Sequence, residues 1–321
     1  MTSDAAAGHR CFLHATGSYG SDAEFLSLVV PFLQDGIASG EPTMAAFGPH
    51  KRQLLRAALP YADVTFTEDT EELARPAAVI RSYRDFFAAQ VAAGAERIWL
   101  AGEVPHPGTG VPWDWWARYE GAANYAFSDF PMWGLCAYDR HTAPPDVLAD
   151  AERTHAWLIT ADGEYLANPH FEDPADFLRS RDSNYADPLE GTAPAAELHA
   201  PSAGAARRAV AMAGTGCRLH PHDLHDLALG VSEAVGNAHQ HGQPPVQLRI
   251  WVAADRIVAT VTDSGSGPAD PFAGLLPADR STGGLGLWLM HQICSYVTMD
   301  RHMDGFTIRL IAGRPVLESP R

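Results

Sequence analysis

Three polar side chains recur at every fourth position of one run, VSEAVGNAHQHG: Glu233, Asn237 and His241. In a helix that spacing keeps all three on one face, while Val231, Ala234, Val235 and Ala238 fall on the flanks that pack inward. An acid, an amide and an imidazole in one row make a poor core face and an unusual solvent face. The amide oxygen of Asn237 is a hard ligand of the kind Mg²⁺ takes, with water and phosphate oxygens as its other ligands. Glu233, one turn earlier, can accept a proton from a hydroxyl or water nucleophile. A surface helix with incidental polar residues is the competing reading, and this helix alone does not separate the two.

Two later motifs do. A strand ending in DSGSG, Asp263 to Gly267, presents a carboxylate able to accept a hydrogen bond from an exocyclic amine such as that of adenine. Gly265 and Gly267 there let the chain turn and a flat ring approach the backbone. The run STGGLGLWLM then places Gly283, Gly284 and Gly286 ahead of a helix, where backbone amides can cradle phosphates. Either glycine cluster alone reads equally well as a plain turn. No GxxxxGK[ST] phosphate loop occurs in the chain.

The series ExxxNxxxHG, DxGxG and GGLGL resembles the N, G1 and G2 boxes of the GHKL ATPase superfamily, closest to its anti-sigma-factor serine kinase branch. The resemblance covers most of 203–312 and implies an α+β (Bergerat-type) sandwich binding ATP and Mg²⁺. It implies Asn237 as Mg²⁺ ligand, Glu233 as catalytic base and Asp263 as acceptor of the adenine amine. Gly265 and Gly267 would line the base pocket, Gly283, Gly284 and Gly286 the lid and phosphate turn, and His241 is a further cofactor-binding candidate. Thr307 stands where the family has a threonine near the adenine. Arg280 is the candidate for the terminal phosphate.

An autophosphorylating histidine kinase needs a phosphoacceptor histidine on a helical hairpin ahead of the ATPase. The stretch Asp182–Ala206 is too short and too rich in Pro and Gly for one, and His222 and His225 fall inside the ATPase region. Nor do His220, His222, His225, His239 and His241 gain the Cys or carboxylate that a familiar zinc spacing requires.

That same Ala/Pro/Gly/Ser-rich stretch divides the chain, with 1–181 expected as one domain, 182–202 as a linker and 203–321 as the second domain. Before it, strand-like and helix-like segments alternate: a strand over 10–15, a turn over 16–21, and a helix over 23–38 carrying Phe25, Val29, Phe32 and Leu33 at helical spacing. Strands at 97–101 and 132–138 follow, which predicts an α/β domain with a mostly parallel sheet. Beyond it, helices over 203–213 and 222–241, strands over 246–252, 257–263 and 305–312, and a helix over 286–296 predict the α+β sandwich.

The runs FLHATGSYGSDAEFL, WLAGE, YEGAANYAF, LCAYD and DAERTHAWL resemble the MEDS (methanogen/methylotroph sensory) domain across roughly 10–160. The resemblance implies a RecA/KaiC-like fold without a working phosphate loop and a small-molecule ligand. Its recurring residues match His14, Tyr19, Glu103, Glu120, Asn124, Cys136, Tyr138, Asp139 and His155. GEVPH stands where GEPIW is usual, and ARPAAVI where GRNPARI is. Glu103 and Asp139 also fall at strand ends, where open α/β sheets place ligands. Trp113, Trp115, Trp116, Tyr119, Tyr125 and Phe127 either wall an apolar pocket or form core. Cys136, with His155, reads as a redox or metal site or, as the expected case, as a buried structural thiol.

With 23 basic against 39 acidic residues, net charge −16, a broad nucleic-acid-binding face or an anionic-membrane surface is not expected. No apolar run spans a bilayer, no signal peptide is visible, and four separated cysteines read as reduced thiols of a cytoplasmic protein. The expectation is a regulator whose sensory domain biases an anti-sigma-type serine/threonine kinase acting on a sigma factor or a STAS-type antagonist. Its alternatives are an ATP-dependent binding switch without phosphotransfer and an atypical sensor histidine kinase. Homodimerisation is frequent in the kinase branch.

Overall fold

The computed structural model describes residues 12–67, 75–160, 163–181, 185–277 and 285–315. The chain divides into two compact units, Met1–Glu71 with Ile80–Phe177, and Glu72–Val79 with Leu178–Arg321.

The first unit is built on a seven-stranded sheet. Its strands are β1 (Leu13–Tyr19), β2 (Thr43–Ala46), β3 (Thr65–Phe66), β4 (Ile98–Gly102), β5 (Met132–Asp139), β6 (Trp157–Ile159) and β7 (Tyr165–Ala167), in the order β3-β2-β4-β5-β1-β6-β7. All neighbours are parallel except the β6–β7 hairpin. The helices are α1 (Asp22–Ala38), α2 (Pro49–Ala58), α3 (Pro76–Ala92), α4 (Trp113–Ala126), α5 (Pro145–Thr154) and α6 (Pro174–Ser180).

Ser21 starts α1 by accepting from the Glu24 amide at 3.2 Å. The helix then buries Phe25, Val29, Phe32 and Leu33 against Leu13, Ala15, Trp99, Trp133 and Leu135, each large side chain contributing about 1.5–3 kcal/mol. Strand alternation sends His14, Thr16, Cys136 and Tyr138 to the opposite face, where α4 lies. Two expectations change here. β1 runs on through the expected turn to Tyr19, because Gly17 lets α1 close in: a Cβ there would lie 2.7 Å from Leu28 Cδ1. The aromatics of α4 are core rather than pocket wall, since all but Tyr125 are buried.

The second unit has a wholly antiparallel sheet of β8 (Ala196–His199), β9 (Gln247–Val252), β10 (Arg256–Asp263), β11 (Tyr296–His302) and β12 (Gly305–Gly313), ordered β11-β12-β10-β9-β8. Helices α7 (Ala203–Ala213), α8 (Pro221–His241) and α9 (Leu285–Ile293) belong to it. Small side chains bring α8 down onto the sheet. Gly230, Val231, Ala234, Val235 and Ala238 are buried, and a Cβ on Gly230 would meet Cys294 Sγ at 2.7 Å and Leu310 Cδ2 at 2.9 Å. The helix expected over 286–296 stops at Ile293, and the run YVTMDRH after it is strand β11, buried at its start and exposed at its end.

The stretch expected to be a loose linker is packed from Tyr185 onward. Asp187, 1% exposed, binds Arg256 through both carboxylate oxygens at 3.0 Å. Glu190, in the 3₁₀ turn Pro188–Gly191, pairs with Arg309, and Thr192 accepts from Trp251 Nε1 at 3.0 Å. Few apolar residues were needed because two carboxylates clamp two arginines of the sheet.

Among the described residues no helix is long and apolar enough to cross a membrane.

Candidate functional site

Between α8 and the β10–β12 end of the second sheet lies a cavity of about 280 Å³. Its walls are Ala234, Ala238, Val261, Leu287, Phe306 and Ile308, and its polar groups come from Asn237, His241 and Asp263. An apolar slot with a few convergent polar groups is the usual form of a small-molecule site.

Asp263 ends β10 almost completely buried, at 6% exposure. Its Oδ1 accepts from the Gly265 amide at 2.7 Å and the Gln243 amide at 3.1 Å, which fixes the carboxylate. Oδ2 has no partner among the described residues, so an acceptor lone pair is left at the cavity wall. The glycines around it are required by space. A Cβ on Gly242 would lie 2.5 Å from Asp263 Cγ, and one on Gly265 2.7 Å from Asp263 Oδ1. Gly267 has φ +70°, and a side chain there would enter the Phe306 ring.

Glu233 and Asn237 are half-buried, while His241 is exposed at the helix end. The first turn of α9 sits over this row: a Cβ on Gly286 would stand 3.0 Å from Glu233 Oε2 and 3.3 Å from Asn237 Nδ2. The structure therefore brings together Glu233, Asn237, His241, Asp263, Gly265, Gly267 and Gly286. Gly283, Gly284 and Arg280 lie outside the described residues. Thr307 is not at the cavity. Phe306 and Ile308 line it, so strand alternation turns Thr307 to the other sheet face, where its Oγ1 bonds Thr262 at 2.8 Å and His302 at 3.1 Å. Phe306, Leu287 and Gly242 are site residues that the sequence reading missed. Gly242 directly follows the HQH of the N-box motif, and that position was its signal.

In the first unit the matched residues form two groups. Tyr19 and Asp139 end β1 and β5, and Glu103 directly follows β4, all at the carboxyl ends of these parallel strands. Glu103 accepts from the Gly48 amide at 2.9 Å and pairs with Lys51, whose ammonium lies 5.1 Å from the Tyr19 ring centre. Burial pushes the Tyr19 phenol up to about 12. Lys51, one of several basic residues of α2, carried no sequence signal.

The second group is buried between β1, β5, α4 and α5. His14 Nδ1 bonds Asn124 Oδ1 at 3.2 Å, and His14 Nε2 lies 3.4 Å from Cys136 Sγ and 3.7 Å from Glu120 Oε2. His155 Nε2 is 3.6 Å from the same Oε2. The other carboxylate oxygen accepts from Tyr138 Oη at 2.5 Å. Burial lowers His14 to about 4 and holds His155 well below its ordinary value, so both imidazoles are neutral at pH 7. It raises Glu120 to about 7 and puts the Cys136 thiol well above its ordinary value. Cys136 is thus one member of a four-residue cluster rather than an isolated structural thiol.

The family model described as MEDS, "MEthanogen/methylotroph, DcmR Sensory domain", matches residues 13–156. The model described as "Histidine kinase-like ATPase domain" matches residues 196–312. No curated protein matches the chain. Among solved structures, the RsbU and RsbW domains of Rv1364c from Mycobacterium tuberculosis align at 22% identity and a TM-score of 0.27, over 40% of this chain and 36% of that one. The chain thus spans about a third of that relative's length. The histidine kinase domain of the E. coli osmosensor EnvZ aligns at 19% identity and a TM-score of 0.25, over 40% of this chain and 95% of that one. The chain carries a MEDS sensory domain followed by a histidine kinase-like ATPase domain.

Proposed function

We propose that the second domain binds Mg²⁺-ATP in the α8–β10 cavity and transfers its terminal phosphate to a serine or threonine of a partner, under control of a ligand held by the first domain. The observation that carries the reading is the unpaired polar row of α8. Among the described residues the side chains of Glu233 and Asn237 have no hydrogen-bond partner, yet both are half-buried beneath the first turn of α9. Half-buried polar groups left unpaired fit a role with an absent ligand better than one in stability. Asp263 Oδ2 would accept the adenine amine, Phe306 and Leu287 would flank the base, and Asn237 would hold Mg²⁺, which neutralises phosphate charge when bound. Glu233 would take the proton of the attacking hydroxyl.

Serine or threonine is favoured over histidine by what precedes α7. The described part of 178–202 holds the end of α6, a 3₁₀ turn and strand β8 rather than a helical hairpin. His222 sits in the first turn of α8, exposed and 3.0 Å from Asp226. The partner class, a sigma factor or its STAS-type antagonist, the homodimer and the RecA/KaiC-like and Bergerat descriptions rest on the sequence resemblance. The cytoplasmic setting rests on the four separated cysteines, and the domain limits on the composition of 182–202, of which the stretch after Tyr185 is packed.

The test incubates the whole chain with γ-labelled ATP, Mg²⁺ and a STAS-type antagonist. Acid-stable label on the antagonist, lost in Glu233→Ala while ATP still binds, is the expected result. Acid-labile label on the chain itself would return the histidine-kinase reading. Nucleotide-dependent capture of the partner without label, unchanged in Glu233→Ala, would make the domain a binding switch.

A further inference from the structure

The buried group in the first unit is arranged as a ligand shell, independently of the nucleotide reading. Ligand atoms of His14, Glu120, Cys136 and His155 all lie within 4.8 Å of one another, and both imidazoles present a bare nitrogen to the others. Asn124 donates its amide to Thr154 O at 2.7 Å and Glu120 O at 3.3 Å, so its Oδ1 must accept, and His14 Nδ1 carries the proton. His155 Nδ1 donates to Ala151 O at 2.7 Å, an acceptor only, which leaves Nε2 bare as well. With Tyr138 engaging one oxygen of Glu120, the other has no hydrogen-bond partner, and neither has His155 Nε2.

Two imidazole lone pairs and an unpartnered carboxyl oxygen thus converge beside the Cys136 thiol. Glu120 and His155 are 0% exposed, His14 5% and Cys136 half-buried, so water does little to relieve the crowding of acceptors. A cation can. Tetrahedral zinc at its usual bond lengths places N, O and S ligands about 3.3–3.6 Å apart. Three of the six separations here are 3.4, 3.6 and 3.7 Å, and the others lie within 4.8 Å, close enough for small side-chain shifts to complete the shell. A thiolate and a carboxylate would balance a dication in a buried place, the thiol proton passing to solvent on binding. The outer partners Asn124, Ala151 O and Tyr138 orient three of the four ligands as second-shell groups do at metal centres.

We propose that His14, Glu120, Cys136 and His155 bind one divalent transition-metal ion of zinc chemistry, four-coordinate and closed. With no open position the ion is structural: it ties β1, β5, α4 and the end of α5 together across 122 residues of chain from His14 to Cys136.

The full-length chain is stripped with chelator and titrated with Zn²⁺ against a chromophoric competitor, then with Co²⁺ by absorption. One tight equivalent is expected, with tetrahedral cobalt bands and a thiolate charge-transfer band. Cys136→Ser abolishes that band and weakens Zn²⁺ about 100-fold or more, and Asn124→Ala weakens it about 10–100-fold. Glu120→Gln, which keeps the shape and the Tyr138 contact, supplies the same reading should Cys136→Ser lose its circular-dichroism signature. Equal Zn²⁺ affinity in the wild type, Cys136→Ser and His155→Gln would place the ion on exposed histidines and overturn the proposal. So would the absence of any tight equivalent.

Discussion

Arg309 of β12 donates from Nη2 to Glu190 Oε2 at 2.9 Å, joining the last strand of the chain to a turn 119 residues earlier. Nε reaches the second oxygen of Glu190, and Nη1 engages Thr298 at 2.8 Å and Asp300. Arg309 is 6% exposed, so the guanidinium is held between carboxylates of a turn and of β11. Removing it leaves two half-covered acids facing each other. Arg309→Met should therefore lower the stability of the second unit by about 3–5 kcal/mol. Glu190→Gln, which keeps an acceptor, should cost about 1–2 kcal/mol. Urea melts followed by Trp251 fluorescence read both. An Arg309→Met midpoint equal to wild type would mean that the turn merely rests on the sheet.

Asp263 separates two duties between its oxygens. Oδ1 holds the Gly265 and Gln243 amides while Oδ2 has no partner among the described residues of this cavity-lining side chain, so Asp263→Asn can keep the first function and lose the second. With its amide nitrogen in the Oδ2 position, the variant offers a donor where an adenine amine also donates. ATP affinity should drop about 30–100-fold, from a lost charged hydrogen bond plus an unpaired donor, while the melting midpoint moves by about 1 kcal/mol or less in stability. Calorimetry and a thermal melt on one preparation separate these. A large loss of stability with affinity intact would show that the carboxylate serves only the turn.

What could be read before the structure follows how locally each feature is encoded. Glu233, Asn237 and Asp263 announced themselves because one helix face and one strand end hold the whole pattern. β11 did not: its seven residues YVTMDRH follow a helix without a Gly or Pro break and without strict alternation, and only pairing with β12 makes them a strand. Thr307 was placed by motif position, yet the register Thr262↔Thr307 decides which face it takes. The metal-like cluster and the Lys51–Glu103 pair need contacts across 122 and 52 residues, which no local spacing encodes. The turn over 185–192 reads as loose because its composition holds few large apolar residues, whereas its anchors are the carboxylates Asp187 and Glu190.

Gly230 is where α8 touches the rest of its unit most closely. The Cβ of Gly230→Ala would lie 2.7 Å from the Cys294 sulfur and 2.9 Å from Leu310 Cδ2, and Cys294 and Leu310 are both fully packed. Neither neighbour can move without disturbing β12 or the end of α9. Overpacking of this kind costs about 1–3 kcal/mol, although alanine in an exposed helix would gain about 1 kcal/mol over glycine. A net loss in chemical denaturation is expected, and a net gain would mean that the helix can lift off the sheet without penalty.

Gly286 poses the sharpest question about the polar row beneath it. Its Cα lies at the start of α9, where an added Cβ comes 3.0 Å from Glu233 Oε2 and 3.3–3.5 Å from the Asn237 amide atoms. Those side chains have no other hydrogen-bond partner among the described residues, so they can swing aside and the fold should tolerate Gly286→Ala within about 1 kcal/mol. The cost falls on the geometry in which Asn237 would hold Mg²⁺. Mg²⁺ demands near-ideal octahedral placement of its oxygens and accepts little displacement. Gly286→Ala should therefore weaken ATP binding about 10-fold in the presence of Mg²⁺ and hardly at all in EDTA, where only the adenine contacts at Asp263 act; a displaced amide oxygen loses about one charged hydrogen bond's worth of affinity. Titrations of wild type and variant under both conditions decide it. An equal loss with and without the ion would locate the glycine's role at the base pocket and detach Asn237 from metal binding.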